Sequence, residues 1–237
     1  MMKICTRGRK YSVDDMTTPS DEPPPADEPL PVRRMKRLFD ILLALSLLLS
    51  LAPLLLLIVS VMLLEQCCAR ASRGPILYRE NRMSHGRPFT ILKFRIIRQT
   101  VIDAARVDAG GTLNSIKELE HVEDNLTGYG RVLKKYYLDE LPQLVNILAG
   151  HMSFVGPRPW PVEDYQRQVK RDIITRSLVP SGLTGLVQSF KGSRSDLDSL
   201  DQTYIEAYRT RSPLGLLWFD FTIMLRSVRV LWQAKGL

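Results

Sequence analysis

Cysteine is scarce and poorly spaced for chemistry. The three present are Cys5, Cys67 and Cys68. An odd set of this kind gives neither a disulfide framework nor metal-ligand spacing, and it points to a reducing compartment. Histidine is equally rare: His85, His121 and His151 have no HExxH-like spacing, which argues against a His/Cys metal centre. No apolar core follows the early basic residues, so a signal peptide is not expected. There is no internal repeat and no recognised nucleic-acid motif. Positive charge, by contrast, is abundant. Lys and Arg number 33 against 25 Asp and Glu, a net charge of +8 over 237 residues. Such a balance favours an anionic partner: a membrane surface, a phosphorylated substrate or nucleic acid. The long Leu-rich segment described next speaks against nucleic acid, and none is expected as a partner.

The composition divides the chain into three parts. Residues 1–32 form an acidic, proline-rich tail with Pro23, Pro24 and Pro25 in a row, which cannot bury a core and is expected to be disordered. Residues 33–66 are expected to form a membrane segment, and residues 67–237 the folded domain that carries the candidate chemistry described below. Within the second part, residues 41–64 carry no charge and are mostly Leu, long enough for a plain transmembrane span. Two features favour a different path. Pro53 lies near the middle, where it costs roughly 3 kcal/mol in an ordinary helix interior. Both flanks are basic: Arg33, Arg34, Lys36 and Arg37 precede the run, and Arg70, Arg73, Arg79 and Arg82 follow it. Basic flanks favour the cytoplasm, and a segment that bends at Pro53 satisfies both. Each half, with about a dozen residues or roughly 18 Å of helix, reaches the middle of the bilayer. The expectation is a re-entrant, monotopic helix-break-helix.

The rest reads as an α/β-type domain, mainly helical. Residues 75–78 and 89–94 are strand-like, with turn-prone residues 81–86 between them. Residues 100–124 are polar and irregular or weakly helical. Residues 139–148 have helical spacing, with Asp139 as N-cap and Gly150 as the stop. A further helix fits residues 160–171. Residues 213–232 carry one apolar stripe, Leu214, Leu217, Trp218, Phe221, Leu225, Val228 and Trp232. This suits either an amphipathic helix in the headgroup region or a core-packing helix.

Chemistry concentrates in two runs. Asp139 and Glu140 stand before an apolar helix. They serve either as its cap and first-turn acid, or as ionised carboxylates that ligate Mg²⁺ or attack phosphorus. Arg158 stands between Pro157 and Pro159, which fix its backbone. That leaves either a rigid loop with a solvated Arg or a placed phosphate fork. Lys93, Arg95, Lys134 and Lys135 add positive charge. Gly182 and Gly185, before Gln188, let backbone approach a ligand closely.

Taken together, these segments resemble the bacterial sugar transferase family, the small monotopic phosphoglycosyl transferases. The resemblance rests on Leu138-Asp139-Glu140-Leu141-Pro142-Gln143-Leu144 and on Met152-Ser153-Phe154-Val155-Gly156-Pro157-Arg158-Pro159. It starts at Lys36-Arg37-Leu38-Phe39-Asp40 and continues through Lys93-Phe94-Arg95 and Gly182-Leu183-Thr184-Gly185 to the C-terminal helix. It implies transfer of a hexose-1-phosphate from a UDP-sugar to polyprenyl (undecaprenyl) phosphate, with release of UMP, by ping-pong turnover through a phosphosugar-aspartyl intermediate. That step would initiate a surface polysaccharide or glycoconjugate.

The resemblance also implies roles. Asp139 would be the nucleophile, and Glu140 would hold Mg²⁺ with it. Arg158, Lys93, Arg95, Lys134 and Gln188 would bind substrate or phosphate, and Pro53 would mark the membrane break. The domain would face the cytoplasm from the bacterial inner membrane, in contact with membrane lipids, and self-association as a homodimer is left open. Without the N-terminal spans of larger members, the chain looks like the minimal form. Two positions depart from the family pattern: Lys134 stands where an Arg is usual, and His151 where an acid is usual. They leave a second reading, a catalytically weakened relative that binds lipid or partners at the membrane surface.

Overall fold

The computed structural model describes residues 28–108, 119–169, 175–190 and 197–233. The expected disordered tail lies outside them up to residue 27. The folded body starts earlier than residue 33, however. Leu30 is buried, its N–H donates to Leu178 O at 2.8 Å, and its carbonyl accepts from His85 Nε2 at 2.8 Å. An apolar residue that reaches a core slot outweighs the prolines around it.

Two helices begin the fold, α1 (Arg34–Ser50) and α2 (Ala52–Cys68), bent by 59° at Leu51. Pro53 therefore sits in the first turn of α2, where its missing N–H costs nothing. Each helix has 17 residues, roughly 25 Å at 1.5 Å per residue, longer than expected. No single helix among the described residues is long and apolar enough to cross a membrane. Leu38, Leu42, Leu45, Leu49, Leu56, Leu57, Leu63 and Leu64 are exposed along the pair.

A hairpin follows, β1 (Leu77–Ser84) and β2 (Arg87–Phe94), antiparallel with Leu77 opposite Phe94 and Ser84 opposite Arg87. Both strands extend past the sequence-based limits. The turn is confined to His85 and Gly86, with φ of 50° and 70°. Two positive φ values match the twist of a two-residue hairpin loop. Next come α3 (Gln99–Asp108), α4 (Gly128–Lys135) and α5 (Gln143–Leu148). Strand β3 (Ser153–Val155) pairs in parallel with β5 (Gly182–Thr184), and β4 (Trp160–Pro161) joins the edge of β1. The helix expected at residues 160–171 is α6 (Val162–Val169) within the described residues. Helices α7 (Leu186–Ser189), α8 (Leu197–Thr210) and α9 (Pro213–Gln233) end the fold. It is a mainly helical α/β architecture with two small sheets.

The bent pair closes two cores. Ala44 of α1 joins Ile91, Leu144, Ile147, Phe154, Tyr204 and Ile223. Ile58 and Met62 of α2 join Tyr78, Phe94, Ile97, Ile102 and Leu133. Two polar clamps fix the pair to the domain.

In the first clamp, Lys36 of α1 lies 2.5 Å from Asp220 of α9, both nearly fully buried. Asp220 also accepts from Tyr204 OH at 3.0 Å, which lies 2.8 Å from Val155 O as well. Asp40, one turn after Lys36, accepts from Phe154 N–H at 3.2 Å. In the second, Glu65 near the end of α2 accepts from Gly128 N and Tyr129 N at 2.9 and 2.8 Å and from Ser72 Oγ at 2.6 Å. It thus caps the amides that open α4. Charge-assisted bonds of this kind are the stronger ones. Glu65→Ala is expected to cost about 2 kcal/mol and to lower the Tm of the detergent-solubilised protein, read by thermal unfolding.

Helix α9 buries a face of mixed polar and apolar residues and exposes an apolar one. Leu216, Asp220, Ile223 and Ser227 are buried at helical spacing, whereas Leu214, Trp218, Phe221, Leu225 and Val228 are exposed. The apolar stripe seen in the sequence is therefore not the core-packing face.

Candidate active site

The two carboxylates do not open a helix as the sequence led one to expect. Tyr137 ends the α4 segment in the left-handed region, φ 56° and ψ 23°. Leu138–Glu140 then winds as a 3₁₀ turn, with Glu140 N–H donating to Tyr137 O and Leu141 N–H to Leu138 O, each at 3.3 Å. Helix α5 starts only after Pro142, and Asp139 is not its N-cap. A bulky residue at positive φ costs on the order of 1–3 kcal/mol. Nothing in Tyr136-Tyr137 signals it, because no glycine marks the turn.

The turn sets the two acids in different surroundings. Asp139 is buried, at 6% exposure. Burial pushes its carboxyl up to about 7, against the opposing pull of the Lys93 ammonium. The expectation that a helix start keeps Asp139 ionised does not hold here, because no helix start faces it. Glu140 is also penalised by burial, but Lys93 and Arg158 outweigh that and hold it below the usual carboxylate range. Lys93 Nζ donates to Glu140 Oε1 at 3.0 Å. Burial works against the ammonium, and Glu140 with Asp139 overcomes this and raises its pKa.

Glu140, Lys93 and Arg158 share a cavity of about 310 Å³ with Arg82, Tyr137 and Gln188. Arg158 is exposed between the buried Pro157 and Pro159. Its loop is held by the β3–β5 pairing, in which Gly182 N–H donates to Pro157 O and Gly156 N–H to Thr184 O. A Cβ on Gly182 would lie 2.1 Å from Gly156 N, and one on Gly156 would lie 2.3 Å from Pro180 O. These glycines therefore serve a close approach of two backbone segments. Gly182 also lines the cavity, so its backbone stands at the cavity wall as well as against Gly156.

Three of the expected catalytic and binding residues do not line the cavity: Asp139 is buried beside Glu140, and Arg95 and Lys134 lie elsewhere. Arg95 is buried at 1% exposure, and its guanidinium donates to Pro75 O, Ile97 O and Ser72 O at 2.8, 2.7 and 2.6 Å. It sits one residue beyond β2, so its side chain leaves the face that directs Lys93 to Glu140. Lys134, in the last turn of α4, donates to Glu120 O and does not line the cavity. Pro53 lies past the bend, but Leu51 at the bend and Leu47 of α1 line the cavity's apolar end.

Sequence reading missed three cavity residues. Arg82 was counted only as a basic flank. It pairs with Glu80 at 2.7 Å and donates toward Pro159 O at 3.4 Å, bracing the Arg158 loop. Tyr137 carried no signal. Ser227 could have been found as a small polar residue on the inner face of α9.

No group of three or more His, Cys, Asp or Glu side chains capable of holding a metal occurs among the described residues. A closed all-protein metal centre therefore does not fit them. Two adjacent carboxylates are the donor type that suits a hard cation such as Mg²⁺, which commonly takes one or two carboxylates and completes its shell with phosphate and water.

The site sets a two-carboxylate turn beside an Arg-bearing loop, and comparison with known proteins gives the family. Residues 32–234 match the model of the bacterial sugar transferase family, and the chain belongs to that family. It is 36% identical over 203 residues to a UDP-glucose:undecaprenyl-phosphate glucose-1-phosphate transferase of Caulobacter vibrioides, covering 81% of this chain and 68% of that protein. It is 31% identical over 209 residues to an undecaprenyl-phosphate glucose phosphotransferase of Komagataeibacter xylinus, covering 82% of this chain but 35% of the relative. An undecaprenyl-phosphate galactose phosphotransferase of Salmonella typhimurium is 29% identical over 210 residues, with 86% and 42% covered. The chain thus spans well under half the length of two of these three relatives.

Proposed function

We propose that the protein transfers a hexose-1-phosphate from a UDP-sugar to undecaprenyl phosphate or a similar polyprenyl phosphate. The observation that carries this reading is the cavity in which Glu140, next to the buried Asp139, meets Lys93 and Arg158. The relatives named above, which act on glucose and galactose substrates, support it. In the first step an Asp139 carboxylate oxygen forms a bond to the sugar-bearing phosphorus, and the bond from that phosphorus to the UMP oxygen breaks. In the second, a polyprenyl phosphate oxygen attacks the same phosphorus. The Asp139–phosphorus bond breaks, and a polyprenyl-diphosphate sugar leaves. Lys93 and Arg158 offset the negative charge that both phosphates bring, and they do so in place before the reaction starts. Mg²⁺, held by Asp139 and Glu140, would neutralise phosphate charge when bound.

The same reading places the bent pair in the cytoplasmic membrane of a bacterium. Its exposed leucines and the outward apolar face of α9 support a re-entrant anchor and an interfacial helix. Leu47 and Leu51 would then bring the lipid side of the membrane to the cavity. Cysteines placed at each end of the pair are expected to label from the cytoplasmic side only; labelling from opposite sides would overturn the re-entrant path.

The test of function is a panel of UDP-sugars with undecaprenyl phosphate and Mg²⁺, reading UMP. Release is expected with at least one sugar, falling on addition of EDTA and returning with Mg²⁺. Lipid binding without turnover across the panel would instead favour the binding-protein reading. Arg158→Lys keeps the charge but loses the planar fork. It is expected to lower kcat/KM about 10- to 100-fold, about 1.4–2.7 kcal/mol of lost transition-state stabilisation.

A further inference from the structure

Buried side-chain polar atoms without a hydrogen-bond partner are rare in folded proteins, and each asks for a cause. Six such atoms occur among the described residues, and three of them, Arg82 Nε, Gln188 Oε1 and Ser227 Oγ, belong to residues that line the cavity holding Glu140, Lys93 and Arg158.

Ser227 differs from other helical hydroxyls in this protein. Ser60 and Thr210 donate to the carbonyl one turn back at 2.8 Å each, and Thr222 on α9 itself donates to Phe219 O at 2.7 Å. Ser227 makes no such bond although it is only 4% exposed. Gln188 is placed with equal care. Its Oε1 lies over Gly185, where a Cβ would come within 2.7 Å of it. Helices α7 and α9 pack together here, with Arg226 stacked 5.5 Å over Phe190. Gln188 and Ser227 therefore sit on adjoining walls of the cavity, one offering an acceptor and the other a hydroxyl that can donate or accept.

We infer that Ser227 and Gln188 form the subsite that reads the hydroxyl groups of the transferred hexose. This rests on the proposed sugar-phosphate transfer and adds its specificity residues. The phosphate end is set by Lys93, Arg158 and Arg82, so the first hydroxyl-rich group beyond that phosphate is the hexose attached to it. The cavity volume, about 310 Å³, is at the small end of ligand pockets, roughly 300–1,000 Å³. That volume suits a group the size of a phosphosugar. Around the two polar groups the wall is apolar, with Leu47, Ile91, Phe154 and Val230. An epimer that points its hydroxyl at that wall loses a hydrogen bond and leaves a polar group of the site unpaired, which is the strongest form of discrimination a pocket has.

The test compares Ser227→Ala and Gln188→Met with the unaltered protein on UDP-glucose and UDP-galactose. Two readouts are used: kcat/KM for UMP release, and equilibrium binding of each UDP-hexose and of UMP to an Asp139→Asn background. Each variant is expected to lower kcat/KM for the preferred hexose about 10- to 100-fold and to shrink the preference between the epimers by a similar factor, with UMP binding changed less than about twofold. An epimer preference unchanged within twofold in both variants would overturn the inference. So would parallel weakening of UMP binding, which would assign the two groups to the nucleotide. If the unaltered protein releases no UMP, the binding arm still decides: epimer-selective binding lost in the variants keeps the subsite and refutes only the reaction. Ser227→Cys, which keeps a small polar side chain, is expected to retain more of the preference than Ser227→Ala, and equal loss in both would point to packing alone.

Discussion

Replacing Asp139 by Asn is expected to stop UMP release, with a loss of at least about 10³-fold in kcat. Asn matches Asp in shape, so the buried turn persists, but its amide cannot open the route through an acyl-phosphate. The same change removes a group that burial raises to about 7, so the folded protein is expected to be no less stable. Glu140→Gln is expected to lower the rate by a smaller factor, because Glu140 pairs with Lys93 and does not bond to phosphorus. Mass spectrometry separates the two roles. Incubation with the UDP-sugar alone is expected to add a hexose phosphate to the unaltered protein and to the Glu140→Gln variant, and none to Asp139→Asn. UMP release at the unaltered rate from Asp139→Asn would show that another group is the nucleophile.

The second large effect concerns Arg95, and it is on stability. Its guanidinium ties together the carbonyls of Ser72, Pro75 and Ile97, which belong to the link after α2 and to the end of the hairpin. Arg95→Met keeps an unbranched apolar stem and removes the donor from two buried carbonyls, Ser72 O and Ile97 O, and from the more exposed Pro75 O. Leaving such groups unpaired is costly, and a total near 4 kcal/mol is expected. The measurement is a large drop in Tm, with KM for the UDP-sugar unchanged within about twofold in the protein that remains folded. Unchanged stability with a raised KM would return Arg95 to the substrate site.

Arg95 also shows what a sequence can and cannot reveal. Lys93 and Arg95 are two residues apart and look like one basic patch. Strand geometry puts them on the same side only while the strand lasts, and β2 ends at Phe94. Lys93 therefore meets Glu140, and Arg95 turns to backbone. Other features were legible because they follow from local rules. The hairpin, the break in the apolar segment, the fixed Arg158 and the apolar stripe of α9 all rest on patterns within a few residues, whereas the direction that stripe faces was left open. The 3₁₀ turn at Asp139 was not legible, since Tyr137 adopts positive φ without a glycine. Neither was the role of Gly182, whose partner Gly156 comes from another part of the chain. Ser227 and Arg82 enter the site only through packing of distant elements.

The Lys36–Asp220 pair has a consequence for the order in which the protein is made. The two residues are 184 positions apart. At about 5–20 residues per second, the ribosome reaches Asp220 on the order of 10–40 s after Lys36. During that interval the new helix carries a lysine whose eventual counter-charge does not yet exist. Asp40, four residues on, is placed to neutralise it on the same helix face. In the folded protein Lys36 pairs with Asp220, and Asp40 receives the Phe154 amide just ahead of the Arg158 loop. The clamp that fixes α1 to the domain therefore cannot form until α9 has been made.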